Sequence, residues 1–123
     1  MAGENPENLK EEPPVRRLVE LVISHAIKEG AQEIRFEPLE QSVSLQCRVN
    51  GVWQPIAPPA KVLYPAIVGR LKVLAGVPSK LGAQPGKATF LHEYGGASVT
   101  CHLTITSSRF GDTVTVSLAR HAS

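Results

Sequence analysis

The segment of this chain that comes nearest to a catalytic signature runs from Gly82 to Thr89 (Gly-Ala-Gln-Pro-Gly-Lys-Ala-Thr). Two glycines followed by a lysine outline a phosphate-binding loop, in which backbone N–H groups cradle the phosphates of a nucleotide. Such a loop needs four residues between its glycines, and a Ser or Thr directly after the lysine to hold magnesium. Here three residues separate Gly82 from Gly86, and Ala88 stands where the hydroxyl is needed. The flanking pattern runs from a helix towards a strand, so no helix N-terminus faces the place where a phosphate would sit. The segment reads as a connecting turn.

The other reactive side chains are equally poor in chemistry. Of the four histidines, His25 falls on a helix pattern and His121 in the tail, while His92 and His102 fall on neighbouring strand patterns. Two imidazoles are half a zinc site, and exposed cross-strand residues are the simpler expectation. Cys47 and Cys101 occupy the apolar positions of alternating segments, where a thiol keeps a high pKa and stays inert. No serine sits in a nucleophile elbow. Glu33, Glu37 and Arg35 share one strand face, which predicts charge pairing on an exposed edge. The expectation is a domain without catalytic residues, without a metal site and without a cofactor.

The elements that position these side chains follow from composition and periodicity. At 123 residues, 42% hydrophobic and 20% charged, the chain has the make-up of one globular domain. A net charge of +2 with scattered basic residues gives no footprint for nucleic acid. No apolar run approaches the roughly 20 residues of a membrane span, and the first residues lack the layout of a signal peptide. Two cysteines at unrelated positions predict reduced, buried thiols and a cytoplasmic protein.

Residues 1–12 are polar and read as a flexible arm, and residues 120–123 as a tail, leaving 13–119 as the domain. Pro13-Pro14 opens a helix. Val15, Leu18, Val19, Val22, Ile23, Ala26 and Ile27 then recur at helical spacing up to a cap at Gly30. Strands are predicted at Glu33 to Glu37 and Val43 to Val49, with a hairpin turn at Asn50-Gly51. A second helix covers Leu63 to Ala75, and three further strands form a meander with turns at Gly95-Gly96 and around Phe110-Gly111-Asp112. The predicted fold is α+β: a single antiparallel sheet of about five to six strands with two helices packed on one face.

Several segments in series carry a resemblance. Val15 to Ala31 followed by Glu33-Ile34-Arg35-Phe36-Glu37-Pro38, then Arg48-Val49-Asn50-Gly51-Val52, then Ile67-Val68-Gly69-Arg70-Leu71-Lys72-Val73-Leu74-Ala75-Gly76, then Gln84-Pro85-Gly86-Lys87, and finally Gly111-Asp112 recur in order. Together they resemble the domain that precedes the motor in the secretion ATPases of type II secretion and type IV pilus assembly. That family shows "S-D-I-H-I-E-P", "R-I-D-G-V", "I-x-x-R-I-K-x-x-A-G", "Q-D-G-R" and "h-G-E-x-x-V-x-R" at these places. The resemblance covers about Pro14 to Leu118.

It implies a sheet covered by helices, and a place beside a RecA-like motor that carries the phosphate loop, acidic magnesium boxes and a histidine box, none of which is in this sequence. It also implies arginines on the late strands that lean over a neighbouring nucleotide. His102, Thr113 and Ser117 stand there instead, and a histidine does not make the bidentate phosphate contact of an arginine. Gln32-Glu33 takes the place of the family's Ser-Asp, and Arg35 that of its histidine.

The functional expectation is therefore a non-catalytic adaptor or regulatory domain. It would dock onto a secretion or pilus-assembly ATPase or a related protein, with self-association as a further option. The docking residues expected are Thr100, His102 and Thr104 on the open sheet face, and Trp53 at a hairpin tip, for which capping the core beside Val52 and Ile56 is the simpler role. The alternative is a remnant that still handles nucleotide in a hexameric motor, with Lys87, His102 and Arg109 near phosphate. A small-ligand sensor is a third class, without a residue pattern to support it.

Overall fold

The structure is a computed structural model that describes residues 13–77 and 86–120. The arm at 1–12, the tail at 121–123 and Gly82 to Pro85 of the loop-like segment lie outside the described residues. Helix α1 (Pro13–Lys28) starts at the proline pair as its sequence predicts. It turns Val15, Val19, Val22, Ile23, Ala26 and Ile27 inward, all of them buried. It stops where Gly30 adopts φ +79°. The Gly30 N–H then donates to Ile27 O at 3.1 Å and the Ala31 N–H to Ala26 O at 2.9 Å, satisfying two carbonyls that would otherwise be orphaned.

Strands β1 (Glu33–Pro38), β2 (Val43–Val49) and β3 (Val52–Pro55) follow, then a short 3-10 turn at Lys61–Leu63 and helix α2 (Tyr64–Leu74). Strands β4 (Gly86–Tyr94), β5 (Ala97–Ser108) and β6 (Gly111–Arg120) complete the chain's described part. The last turn is Arg109-Phe110 rather than one centred on Gly111, because Gly111 already pairs with Ser108. All pairings are antiparallel and make one six-stranded sheet in the order β3-β2-β1-β6-β5-β4. Strand β6 closes the fold by returning to β1, where Phe36 sits opposite Val114 and Ile34 opposite Val116. The predicted α+β sheet with two helices is the observed architecture.

One buried cluster contains the inward residues of both helices and of four strands, β1, β2, β5 and β6, with Phe90 and Tyr94 of β4 packed against it. Among the described residues the opposite face of the sheet carries no helix. Helix α2 is held to the sheet by polar contacts as well as packing. The Tyr64 hydroxyl lies 2.9 Å from the Phe36 carbonyl oxygen and 2.6 Å from that of Asp112. Burial pushes its phenol well above the ordinary value, so the group stays protonated and able to donate. Beside it the Lys72 ammonium donates to Asp112 Oδ2 at 3.0 Å, with side-chain exposures of only 13% and 16%.

Candidate functional site

Pairing register, rather than sequence proximity, builds the uncovered face. Arg48 opposes both Glu33 and Trp53. Glu33 opposes Ser117, Ser117 opposes His102, and His102 opposes Thr89. One row therefore crosses all six strands: Trp53, Arg48, Glu33, Ser117, His102, Thr89. A second row runs Pro55, Gln46, Arg35, Thr115, Thr104, Lys87. Their alternation with Ile34, Cys47, Leu103 and Val116 puts all of them on the side away from the helices.

At one end of this face Trp53 is half-buried under two cations. The Arg35 guanidinium stands 4.4 Å from the ring centroid and that of Arg48 stands 5.9 Å away. Arg48 Nε also donates to Glu33 Oε1 at 3.0 Å, and the Ser117 hydroxyl lies 3.4 Å from Glu33 Oε2. The indole is thus pinned by a chain of contacts running into the sheet. It does not cap the core, because Val52 and not Trp53 is on the helix side of β3. The charge pairing foreseen among Glu33, Glu37 and Arg35 on an edge takes another form: β1 is central, Glu33 pairs with Arg48 of β2, and Arg35 lies over Trp53. Arg35 and Arg48 were missed as site residues. Arg48 is traceable to Trp53 by its parity about the Asn50-Gly51 turn, whereas Arg35 reaches the ring only through the β1–β2 pairing.

The other expected docking residues, Thr100, His102 and Thr104, lie in line on β5 on this same face, with His102 exposed. His102 is four strands from Trp53, about 19 Å at the usual interstrand spacing. Lys87 is a diagonal neighbour of His102, since Thr89 opposes His102 and Lys87 opposes Thr104. Arg109 is elsewhere: it sits at the far end of β5, about 24 Å along the strand from His102, with its guanidinium 5.3 Å from the Phe110 ring centroid. The structure brings Lys87 and His102 together and leaves Arg109 apart.

His92 and His102 fall on opposite faces of the sheet and do not meet. His92 points to the helix side, where its Nε2 is 2.9 Å from the Ser24 hydroxyl of α1. Among the described residues no group of three or more His, Cys, Asp or Glu is placed to hold a metal ion. Cys47 and Cys101 are buried and unpaired. Burial pushes the Cys101 thiol up to about 11, and burial with the nearby Glu29 charge raises that of Cys47, so both stay protonated at neutral pH.

Desolvation pulls the His92 imidazole below its ordinary value, opposed by the charges of Glu20 and Glu93. The sign of its pH effect follows. Above about pH 6.5 both folded and unfolded chains carry a neutral imidazole; below it the unfolded chain takes up the proton first, and stability falls with pH. Thermal melts between pH 7 and about 5.5 are expected to show a declining midpoint, and His92→Gln to flatten that decline.

The sequence profile of the family described as "Type II/IV secretion system protein" matches residues 8–118. The chain belongs to that family. It is 30% identical over 125 residues to a protein of Vibrio cholerae named type II secretion system ATPase E, covering 96% of this chain and 24% of that protein. A type II secretion system protein E of Klebsiella pneumoniae is 28% identical over 109 residues, covering 89% of this chain and 22% of the relative. One of Xanthomonas campestris pv. campestris is 44% identical over 69 residues, covering 55% of this chain and 12% of the relative. The chain thus spans about a quarter or less of the length of these relatives. Within the family frame the motifs acquire a structural meaning. Glu33 of the first motif and Arg48 of the hairpin motif form an ion pair, and Lys72 of the helix motif and Asp112 of the last form another.

Proposed function

We propose that this domain is a non-catalytic docking and regulatory module of type II secretion and type IV pilus-assembly machinery. It acts in the cytoplasm by contacting a secretion or pilus-assembly ATPase or a relative of one. The observation that carries this reading is the open six-stranded face with Trp53 pinned at one end by Arg35 and Arg48. A large aromatic held in one orientation loses little entropy on binding, and Trp and Arg are among the residue types enriched at the energetically dominant positions of interfaces. Family membership supplies the class of partner. The cytoplasmic assignment is supported by two unpaired, buried thiols, and by the fact that no helix among the described residues is long and apolar enough to cross a membrane.

A second reading, residual nucleotide handling in a hexameric motor, rests on Lys87 and His102 as neighbours on β4 and β5. It draws no support from Arg109, which is too far along β5 to share one phosphate group with them.

The deciding experiment is affinity capture of the tagged chain from its native lysate, with and without ATP and magnesium, read by mass spectrometry. Recovery of a secretion or pilus-assembly ATPase is expected, and nucleotide dependence would show which motor state is recognised. Capture of no such ATPase under either condition would remove the docking reading. Direct binding of an ATP analogue by the purified chain would favour the second.

A further inference from the structure

Strand β4 is the outer strand of the sheet, nine residues long and without a proline (Gly86–Tyr94). The opposite edge, β3, is only four residues and ends in Pro55, the usual way an edge is blunted. Among the described residues no strand pairs with the outer side of β4.

The geometry of its hairpin says which groups are left over. Tyr94 and Ala97 flank the two-residue turn Gly95-Gly96, whose φ values of +59° and +82° match the tight turn that makes the flanking pair exchange hydrogen bonds. Counting back by twos, Tyr94, His92, Phe90 and Ala88 aim their backbone groups at β5. Lys87, Thr89, Leu91 and Glu93 aim theirs outward.

That outward set is self-complementary. We propose that β4 pairs antiparallel with β4 of a second copy of this chain, about a two-fold axis through Phe90, joining two sheets into one. In this register Lys87 faces Glu93 of the other copy at both ends, Thr89 faces Leu91, and Phe90 meets its own counterpart. All four outward residues of each strand are then partnered, giving about eight new backbone hydrogen bonds. A register two residues shorter puts Lys87 opposite Leu91, and one two residues longer puts Glu93 opposite Thr89, so only the centred register matches the charges and uses the whole strand. Leu91, 63% exposed, gains a diagonal neighbour in the second copy's Leu91. The axis stands perpendicular to the sheet, so both α1 helices fall on the same side. There Leu21, 54% exposed, borders the groove that α1 forms with His92 and Glu93. This inference stands apart from the ATPase-docking reading, whose anchor Trp53 lies on the opposite edge strand β3.

The test is sedimentation equilibrium of the full chain and three charge variants, with circular-dichroism melts to confirm the fold. Wild type is expected to dimerise. Lys87→Glu and Glu93→Lys each set like charges opposite one another twice and are expected to raise the dimer Kd about tenfold. They shift the net charge of +2 in opposite directions, so a shared loss is not an effect of overall charge. The Lys87→Glu/Glu93→Lys double variant restores both pairs and the original net charge, and is expected to return Kd to near the wild-type value. Leu91→Pro deletes an outward N–H while leaving the β4–β5 ladder intact, and is expected to be monomeric with a retained fold. A wild-type chain that stays monomeric up to about 1 mM overturns the proposal. So does a dimer indifferent to the single swaps, or one that the double swap fails to restore.

Discussion

Asp112→Ala is expected to cost this domain about 2–3 kcal/mol of folding stability. The carboxylate is the partner of Lys72 at 3.0 Å, and the two side chains are only 16% and 13% exposed. Removing one member leaves an ammonium group in a poorly solvated place with its counter-ion gone, which costs more than the pair contributed. The same residue's carbonyl receives the Tyr64 hydroxyl, so loosening of β6 at this point also disturbs the contact that ties α2 to Phe36. For a domain of this size the expected fall in melting midpoint is about 10 °C. Thermal denaturation of Asp112→Ala, Lys72→Met and the double variant forms the check. The double variant should lose less than the sum of the two singles, because it leaves no unpaired charge. Equal, additive losses would mean that the two residues act separately.

Trp53→Ala is expected to behave in the opposite way, sparing the fold and removing the partner. The ring lies on the edge strand, outside the buried cluster, so its folding contribution is confined to stacking with Arg35 and Arg48, about 1 kcal/mol or less. If it anchors the docking surface, truncation should weaken partner binding by about 30-fold or more. Calorimetric titration against the captured ATPase reads this directly. Trp53 is also the only tryptophan in the chain, so a shift of its emission on adding partner reports burial of the same ring. Unchanged affinity with an unshifted spectrum would place the docking surface elsewhere.

Local physics made much of the framework legible before any coordinates. The proline pair that opens α1, the glycine after it, and Asn50-Gly51 between β2 and β3 are short-range signals, each acting within one or two turns of chain. The alternation Val99, Cys101, Leu103, Ile105 against Thr100, His102, Thr104, Thr106 likewise needs no tertiary knowledge, because a strand's two faces are set by its period of two. The resemblance motifs placed the chain in its family for the same reason, being runs of adjacent residues.

Each element, the apolar face of each, and the family of the chain are therefore written locally in the residues. How elements far apart in the chain meet is a property of the folded core alone. Nothing in the sequence says that β6 returns to β1. That single pairing makes β1 central and brings Ser117 beside Glu33, joining Trp53 and His102 into one row. It also leaves β4, with Lys87 and Glu93 at its two ends, on the outer edge. The Lys72–Asp112 pair spans 40 positions in the chain. Its two members are recognisable as motif residues, and only the packing of α2 over β6 makes them partners. Hydrophobic alternation specifies which side of a strand is buried but is indifferent to its neighbour, which shape and register in the whole core select.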